Sequence, residues 1–588
     1  MAVTGFPNMP ALLLSRAAAA GGTTILRRKQ RGIWTPVDWA TLGARARAIG
    51  TALKLSGLKP GDVVALLSDA STDWIAADLA IQGAACVSIA LYPTDDAETV
   101  AAQLRHGTAK LLFVENEEQL DKALGLRAAC PDLSRIVIMD MKGLRGFDDP
   151  GCEGLDAFAA RGETRAGEWE ASIAAIMPGD LAAIVITAGS AGPPRGVMLT
   201  HGNIMHQVAR FAAASGQGPT DERLAFLPVC SVTERVLGLY AALLAGTVTN
   251  LVENAETVPE NLQEVRPTVM IAMPRIWEKF HARVTVAVAE AGRMQAWLYA
   301  WALRIGLRGS GNGPLHRIAR LLVLDRVRAA IGLDRLRWAG VAGAAIAPEL
   351  VAWYRAVGID LIETYGTTEC AGLACMMPAG ERRPGMAGKP VPWGELKIAA
   401  DGEILLRGPH VSPGYWHEEA MTATALRGNW LHTGDMGALD RGYLRIVGRR
   451  TDLLQVDDAL VAPSALEAAL KVSPYIADAL VIGDGRPALT CLVMLESDAV
   501  EKWAQDNNVP HTSFASLVQA ERVGALIGRE VARVNAGAAN PITDFRIIAR
   551  RLAPEDRELT PTMKLRRGVV MQAYGALIDD MYRPALPS

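Results

Sequence analysis

With 588 residues the chain is too long to be organised around one hydrophobic core, so two or more domains are expected. Half of its residues are hydrophobic, 21% are charged and the formal net charge is −3, which excludes a disordered chain and leaves no polybasic footprint for nucleic acid. Seven scattered cysteines without Cys-x-x-Cys, and nine histidines without metal-ligand spacing, point to neither a disulfide framework nor a zinc site and fit a reducing, cytoplasmic setting.

Residues 10–20 are apolar, but no basic residue precedes them and Arg16 interrupts them, so they read as a short helix rather than an export signal. From 38 to 55 apolar positions recur at helical spacing, and Gly57 with Pro60-Gly61-Asp62 stops that helix before a strand over 63–67. Ser71 caps a helix reaching 85, then 87–91 reads as a strand, 95–106 as a helix and 110–114 as another strand. Such alternation predicts a mostly parallel sheet with helices on both faces, and a ligand site at the carboxyl ends of its strands. The longest apolar stretch, 171–186, is broken by Pro178, Gly179 and Asp180 and does not span a bilayer.

Residues 181–186 read as a buried strand that empties into a loop holding Gly189, Gly192, Pro193, Pro194 and Gly196. Glycines bring backbone N–H groups close to an anion, Thr187 and Ser190 add hydroxyls, and Arg195 adds a permanently charged fork of donors, so the loop is a phosphate cradle by composition. It is not one of the two best-known nucleotide loops: no Gly-Lys-Ser/Thr follows, and Gly-x-Gly-x-x-Gly is absent. A helix over 203–215, a strand over 223–227, a strand over 268–272 and a helix opened by Pro274 continue the alternation. Residues 309–314 form a glycine-rich connector between two helices. A strand over 336–341 leads into Gly343-Ala344-Ala345, and a helix over 348–357 precedes Ile-Glu-Thr-Tyr-Gly-Thr-Thr-Glu at 362–369. Segments 401–408 and 413–416 read as strands and turns of a small β-rich unit. Further on, a helix over 463–470 and strands over 479–482 and 489–495 suffice for an α+β domain.

In this order, several of these stretches resemble the adenylate-forming superfamily and, within it, the long-chain fatty acyl-CoA synthetase branch. The loop resembles Thr-Ser-Gly-Thr-Thr-Gly-x-Pro-Lys-Gly, with Ala188 for the serine, Ser190 and Ala191 for two threonines and Arg195 for the lysine. Leu-Pro-Val-Cys-Ser-Val-Thr-Glu-Arg at 227–235 and Arg-Pro-Thr through Trp277-Glu278-Lys279 resemble the long-chain branch, with Ser231 where that branch has a histidine near the acyl carboxylate. The resemblance implies that Tyr365 stacks on adenine, Gly366 lies close to the nucleotide, Thr368 contacts the α-phosphate and Glu369 helps hold magnesium. Gly343 and Ala344 join the nucleotide site, as do Thr187, Gly189, Ser190 and Gly192 of the loop. Trp-Leu-His-Thr-Gly-Asp at 430–435 resembles Trp-x-x-Thr-Gly-Asp, whose aspartate, here Asp435, binds both ribose hydroxyls. Gly448 to Asp452 resembles the crossover between domains, with Arg449 reaching the ribose and Thr451 at the hinge. Leu-Thr-Pro-Thr-Met-Lys-Leu-Arg-Arg at 559–567 resembles the segment whose lysine, here Lys564, bridges acyl carboxylate and α-phosphate.

The expected fold is therefore α/β: a large N-terminal domain of doubly wound sheets over 1–450, with a small β-barrel-like subdomain at about 385–447, and a small mobile α+β C-terminal domain over 451–588. The implied activity is ATP-dependent activation of a fatty acid as an acyl-adenylate, then transfer to CoA. Lys564, Thr368, Glu369 and Arg195 would be catalytic, with Glu369 on Mg2+. No nucleic-acid partner and no transmembrane segment are expected, while a homodimer and peripheral contact with the inner face of the membrane stay open. So do two other functions. A ligase for an aromatic or branched acid is motivated by Ser231, and a nucleotide-binding homologue with little catalysis by Ala188, Ala191 and Arg195. Past the hinge, Asp458 flanked by Asp457 stands where the family has a glycine; carboxylates there repel an anionic CoA, so the second half-reaction is expected to limit turnover.

Overall fold

A computed structural model describes residues 5–163, 165, 167–187, 195–308, 313–457, 459–552, 556–560 and 564–583. Its largest sheet has seven strands in the order Cys152–Gly154, Arg135–Ile138, Leu111–Val114, Val63–Leu67, Val87–Leu91, Leu181–Thr187 and Arg195–Thr200. Every neighbouring pair is parallel except the last. Val63–Leu67 and Val87–Leu91 are buried from end to end, the unbroken apolar runs required of strands covered on both faces. The helices between them start where side-chain acceptors meet orphan N–H groups. Ser71 accepts from the Trp74 N–H, Asp96 from Thr99, and Thr200 with Asn203 forms a reciprocal capping box at the head of His201–Ser215.

A second sheet begins with three parallel strands, Val269–Ala272, Trp338–Val341 and Leu361–Tyr365, and turns back through Cys375–Met376 and Lys389–Pro390. A third sheet runs in the order Glu222–Ala225, Val248–Leu251, Thr24–Gln30 and Ile33–Asp38, and only its first member was expected from the sequence. The strands Glu395–Ile398, Glu403–Arg407, Trp430–Asp440 and Tyr443–Arg449 form a small antiparallel sheet with Leu426–Arg427. After it come the hairpin Leu454–Val456 with Ala459–Val461 and a three-stranded sheet of Ile476–Ile482, Leu489–Leu495 and Ile542–Ile547, which has its own core. The architecture is mixed α/β with a large N-terminal and a smaller C-terminal domain.

The conspicuous Glu234-Arg235 pair is structural. Within the π-helix Thr233–Tyr240, Glu234 receives both hydrogen bonds of the buried Arg223 guanidinium, at 2.7 and 2.8 Å. Arg235 is paired with Asp78 and bonded to the Tyr240 hydroxyl at 2.9 Å and the Ser88 hydroxyl at 2.8 Å, all out of solvent. Buried charges persist only when paired and hydrogen-bonded, so these two pairs lock the π-helix to the strand Glu222–Ala225 and to the helix Thr72–Gly83, while Ser88 ties it to the largest sheet.

The C-terminal part rests on the helix Pro274–Glu290. Ala468 is buried in the same cluster as Trp277 and Phe280, and Lys502 meets Glu290 at 3.0 Å. Glu278 is buried in this seam, which pushes its pKa up to about 6 against the opposing pull of Lys471.

Candidate active site

The site forms where the second sheet ends. Trp338–Val341 and Leu361–Tyr365 lie side by side, and the Thr364 hydroxyl donates to the Val341 carbonyl at 2.7 Å, fixing the exit of both strands. Two residues beyond Val341, Gly343 takes φ +86°, a conformation that side chains other than glycine's rarely adopt. The turn presents the Gly343 carbonyl outward, with Ala344 exposed beside it, and the Lys564 ammonium donates to that carbonyl at 2.6 Å. A lysine from the far C-terminus therefore reaches the large domain's strand ends. Its backbone is steadied by the Thr560 hydroxyl, which accepts from the Lys564 N–H at 3.1 Å. Surrounding protein and the nearby Lys471 and Arg449 charges push the Lys564 pKa down to about 8.

Tyr365 and Asp435 meet next to this turn. The phenol donates to Asp435 Oδ2 at 2.8 Å, and Arg449 Nε stands 3.5 Å from Oδ1. Both Tyr365 and Asp435 are buried, at 7% exposure each. Burial raises the Asp435 pKa, opposed by Arg449 and by the Tyr365 hydroxyl; burial and the Asp435 charge raise that of Tyr365. Asp435 and Arg449 face each other as register partners across two antiparallel strands, so the pair is placed by sheet geometry rather than by a loop.

Gly366 leaves no room for a side chain: a Cβ would lie 2.3 Å from the Gly372 carbonyl oxygen. The chain passes from here into the short turn Thr368–Cys370, which carries Glu369. Glu369 Oε1 accepts from the Tyr415 hydroxyl at 2.8 Å, and the Glu369 carbonyl accepts from the Ser412 N–H at 2.7 Å. Tyr415 is also bridged to Val197, and Trp416 N–H donates to the Gly196 carbonyl at 2.8 Å, so the strand leaving the phosphate loop is stitched to the turn carrying Glu369. Arg195 and Arg449 both act on the Tyr415 ionisation, and Glu369 acts on that of Asp435. Thus Arg195, Tyr365, Glu369, Asp435, Arg449 and Lys564 face one region, drawn from both domains.

Thr187 ends its strand with its hydroxyl donating to the Arg195 carbonyl at 3.3 Å, which closes the neck of the loop, and Arg195 itself is exposed. The loop residues Gly189, Ser190 and Gly192 lie outside the described residues, as does Asp458. Ser231 sits one turn ahead of the π-helix and accepts from the Thr233 N–H at 3.3 Å; among the described residues no hydrogen bond or ion pair joins its side chain to those of the site. Tyr415 was missed by the sequence reading. Its signal is the Pro-Gly-Tyr-Trp run at 413–416, whose composition predicts turn and strand but no site residue.

A family model described as AMP-binding enzyme matches residues 14–416, and one described as AMP-binding enzyme C-terminal domain matches 453–585. The long-chain-fatty-acid–CoA ligase FadD15 of Mycobacterium bovis is 30% identical over 593 residues, covering 98% of this chain and 97% of its own. The long-chain-fatty-acid–CoA ligase ACSBG2 of Mus musculus is 26% identical over 630 residues, covering 98% and 93%. Among solved structures, the adenylation domain of a carboxylate reductase from Mycobacterium chelonae has a TM-score of 0.78 at 21% identity, covering 99% of this chain and 92% of that one. The anthranilate CoA ligase AuaEII in complex with anthranoyl-AMP has a TM-score of 0.75 at 20% identity, covering 97% and 98%. The structures share the fold, and the family match together with 30% identity along the whole length shows that the chain belongs to the AMP-binding enzymes, in their fatty acyl-CoA synthetase branch.

Proposed function

We propose that the protein is a fatty acid–CoA ligase acting on long-chain acids, the substrates named in the FadD15 and ACSBG2 relatives. The observation that carries this reading is the Lys564 ammonium, 2.6 Å from the Gly343 carbonyl and delivered from the C-terminal domain to the large domain's strand ends. In the first half-reaction the acid's carboxylate attacks the α-phosphorus of ATP and pyrophosphate leaves. Negative charge is rearranged on phosphate oxygens, so the protein's work is alignment and charge stabilisation. Lys564 bridges carboxylate and α-phosphate, Thr368 donates to the α-phosphate, and Arg195 with Thr187, Gly189, Ser190 and Gly192 serves the outer phosphates. Tyr365 stacks on adenine, Gly343, Ala344 and Gly366 line the nucleotide, and Asp435 with Arg449 holds the ribose. In the second half-reaction the CoA thiol attacks the acyl carbonyl and AMP departs.

Among the described residues no cluster of three or more His, Cys, Asp or Glu is fit to cage a metal. Magnesium commonly uses one or two carboxylates plus substrate phosphates, and Glu369 fits that need: Tyr415 occupies Oε1, and no hydrogen bond to Oε2 is formed among the described residues. Bound there, the ion would neutralise phosphate charge.

Acid-dependent exchange between pyrophosphate and ATP tests the reading. Exchange with palmitate and none with benzoate supports it; exchange with benzoate alone points to an aromatic-acid ligase, and none with any acid to a nucleotide-binding homologue. Arg195→Ala should slow exchange by roughly 10²–10³, the loss typical of one strong transition-state donor, and wild-type exchange would remove Arg195 from the site.

Lys564 also sets a pH limit. With its pKa lowered to about 8, it is charged below that pH and neutral above it in the free enzyme. Thus kcat/KM for adenylate formation should fall as pH rises through 8, whereas kcat should fall only at higher pH, because bound phosphates favour the ammonium. A kcat/KM that stays flat from neutral to alkaline pH would exclude Lys564 as the titrating group.

A further inference from the structure

The seam beneath the C-terminal part holds a carboxylate that the site does not use. The helix Pro274–Glu290 buries Trp277 and Phe280 in one cluster with Ala468, and Val472 packs against it. Glu278 stands on this helix, 7% exposed. Its Oε1 has no hydrogen-bond partner, and among the described residues it forms no ion pair.

Charges face Glu278 from each element around it. Lys471, which ends the helix Pro463–Leu470, exerts the strongest attraction, but its ammonium is 3.8 Å from Asp478 on the strand Ile476–Ile482, and Asp478 repels Glu278 in turn. Arg275, on the same helix as Glu278, adds a smaller pull. Glu467 is engaged by Arg567 at 2.6 Å and by the Val481 N–H at 2.9 Å; the Tyr354 hydroxyl, on the helix Pro348–Ala356, donates to the Trp277 carbonyl at 2.6 Å. Neither serves Glu278.

A buried carboxylate without a bonded partner is costly, and a positive charge offsets that cost only at close range. Here Lys471 does not offset it, and burial holds the Glu278 pKa at about 6, above the ordinary glutamate value. By linkage, the seam closes most readily on the protonated acid, and that contribution is lost as pH rises through about 6. At neutral pH the ionised Glu278 therefore works against closure. Lys471 and Asp478 also act on Lys564, so the seam and the contact of Lys564 with Gly343 belong to one docked arrangement.

We propose that Glu278 is a positioning residue that acts by release: its ionised, unbonded carboxylate keeps the docked arrangement weak enough for the C-terminal domain to withdraw Lys564 once the adenylate has formed. The proposal rests on the ligase reading and adds to it the group that lets go.

Single-turnover measurements on the full-length protein test it. Glu278→Gln and Glu278→Met remove the charge without emptying the seam. Each should slow thioester formation from supplied acyl-adenylate and CoA by roughly tenfold, because the undocked fraction shrinks, while adenylate formation stays within about twofold of wild type. The melting temperature at neutral pH should equal or exceed that of wild type. As pH is lowered through about 6, the wild-type thioester rate should converge on that of Glu278→Gln, a change in ratio that titration of the shared substrates does not produce. Wild-type thioester rates in both variants overturn the proposal, as do equal losses in both half-reactions or a rate ratio that stays constant with pH. Acid-dependent exchange by the wild-type protein separates such a failure from failure of the ligase reading, which would leave no exchange with any acid.

Discussion

Lys564→Ala is expected to suppress adenylate formation by roughly 10³, while thioester formation from supplied acyl-adenylate and CoA proceeds near the wild-type rate. The separation follows from which parts of the C-terminal domain touch the site. Lys564 reaches Gly343, whereas the hairpin just past the hinge, Leu454–Val456 with Ala459–Val461, buries Leu454, Val456 and Val461 in the C-terminal core and leaves Leu460 64% exposed. The arrangement suits the first half-reaction. The resemblance assigns the second to a rotated stance in which the hairpin replaces the lysine, with the dihedral change absorbed around Thr451, an exposed residue of the short turn Arg450–Asp452. Single-turnover measurement of each half-reaction decides the matter, and equal loss of both would defeat the alternation.

Asp435→Ala should lower kcat/KM for ATP by roughly 10²–10³, because two charge-assisted hydrogen bonds to ribose are lost together at ~1.5–3 kcal/mol each, part of it recovered by water. The exchange assay would show the loss mainly in KM for ATP. Asp435→Asn separates function from folding. Burial raises the Asp435 pKa, so the folded state resists the carboxylate's charge, and its contribution to stability falls as pH climbs through the ordinary range toward the raised value. A neutral amide of the same shape still accepts from Tyr365 and removes that penalty. The melting temperature of Asp435→Asn at neutral pH should therefore equal or exceed wild type while ATP binding weakens. An Asn variant that binds ATP normally would show that Asp435 serves packing rather than ribose.

Much of the α/β framework can be read from residue pattern alone. Val63–Leu67 and Leu489–Leu495 coincide with their expected bounds because unbroken apolar runs between turn residues have few other readings. Helix starts are displaced by a residue or two where a cap decides them, as at Asp96, which is the cap of Ala97–Gly107 rather than a member. The strand Thr24–Gln30 was illegible for a different reason. It carries Arg27, Arg28 and Lys29 and is half-exposed beyond Leu26, so its hydropathy shows neither alternation nor a run, and what makes it a strand is a partner far along the chain. The site divides in the same way. Tyr365 and Asp435 lie in compact motifs, and the fold brings them within a hydrogen bond of each other. Tyr415 acquires its place only through contacts with Glu369 and Val197, which no local spacing announces. Glu234 and Arg235 show the reverse case: a conspicuous charged pair whose partners, Arg223 and Asp78, make it part of the core.

That early strand also sets a timetable for the chain's birth. Leu26 pairs in parallel register with Thr249, 249 − 26 = 223 positions later, and the sheet they share needs Glu222–Ala225 as well. At ~5–20 residues per second, a ribosome takes roughly 10–45 s to supply the missing strands. Throughout that interval the hairpin Thr24–Gln30 with Ile33–Asp38 holds one edge unpaired, and the seven-stranded sheet can assemble before the neighbouring one exists. The basic stretch from Arg27 to Lys29 then has a second value, since like charges along an open edge repel another nascent copy until Val248–Leu251 arrives to cover it.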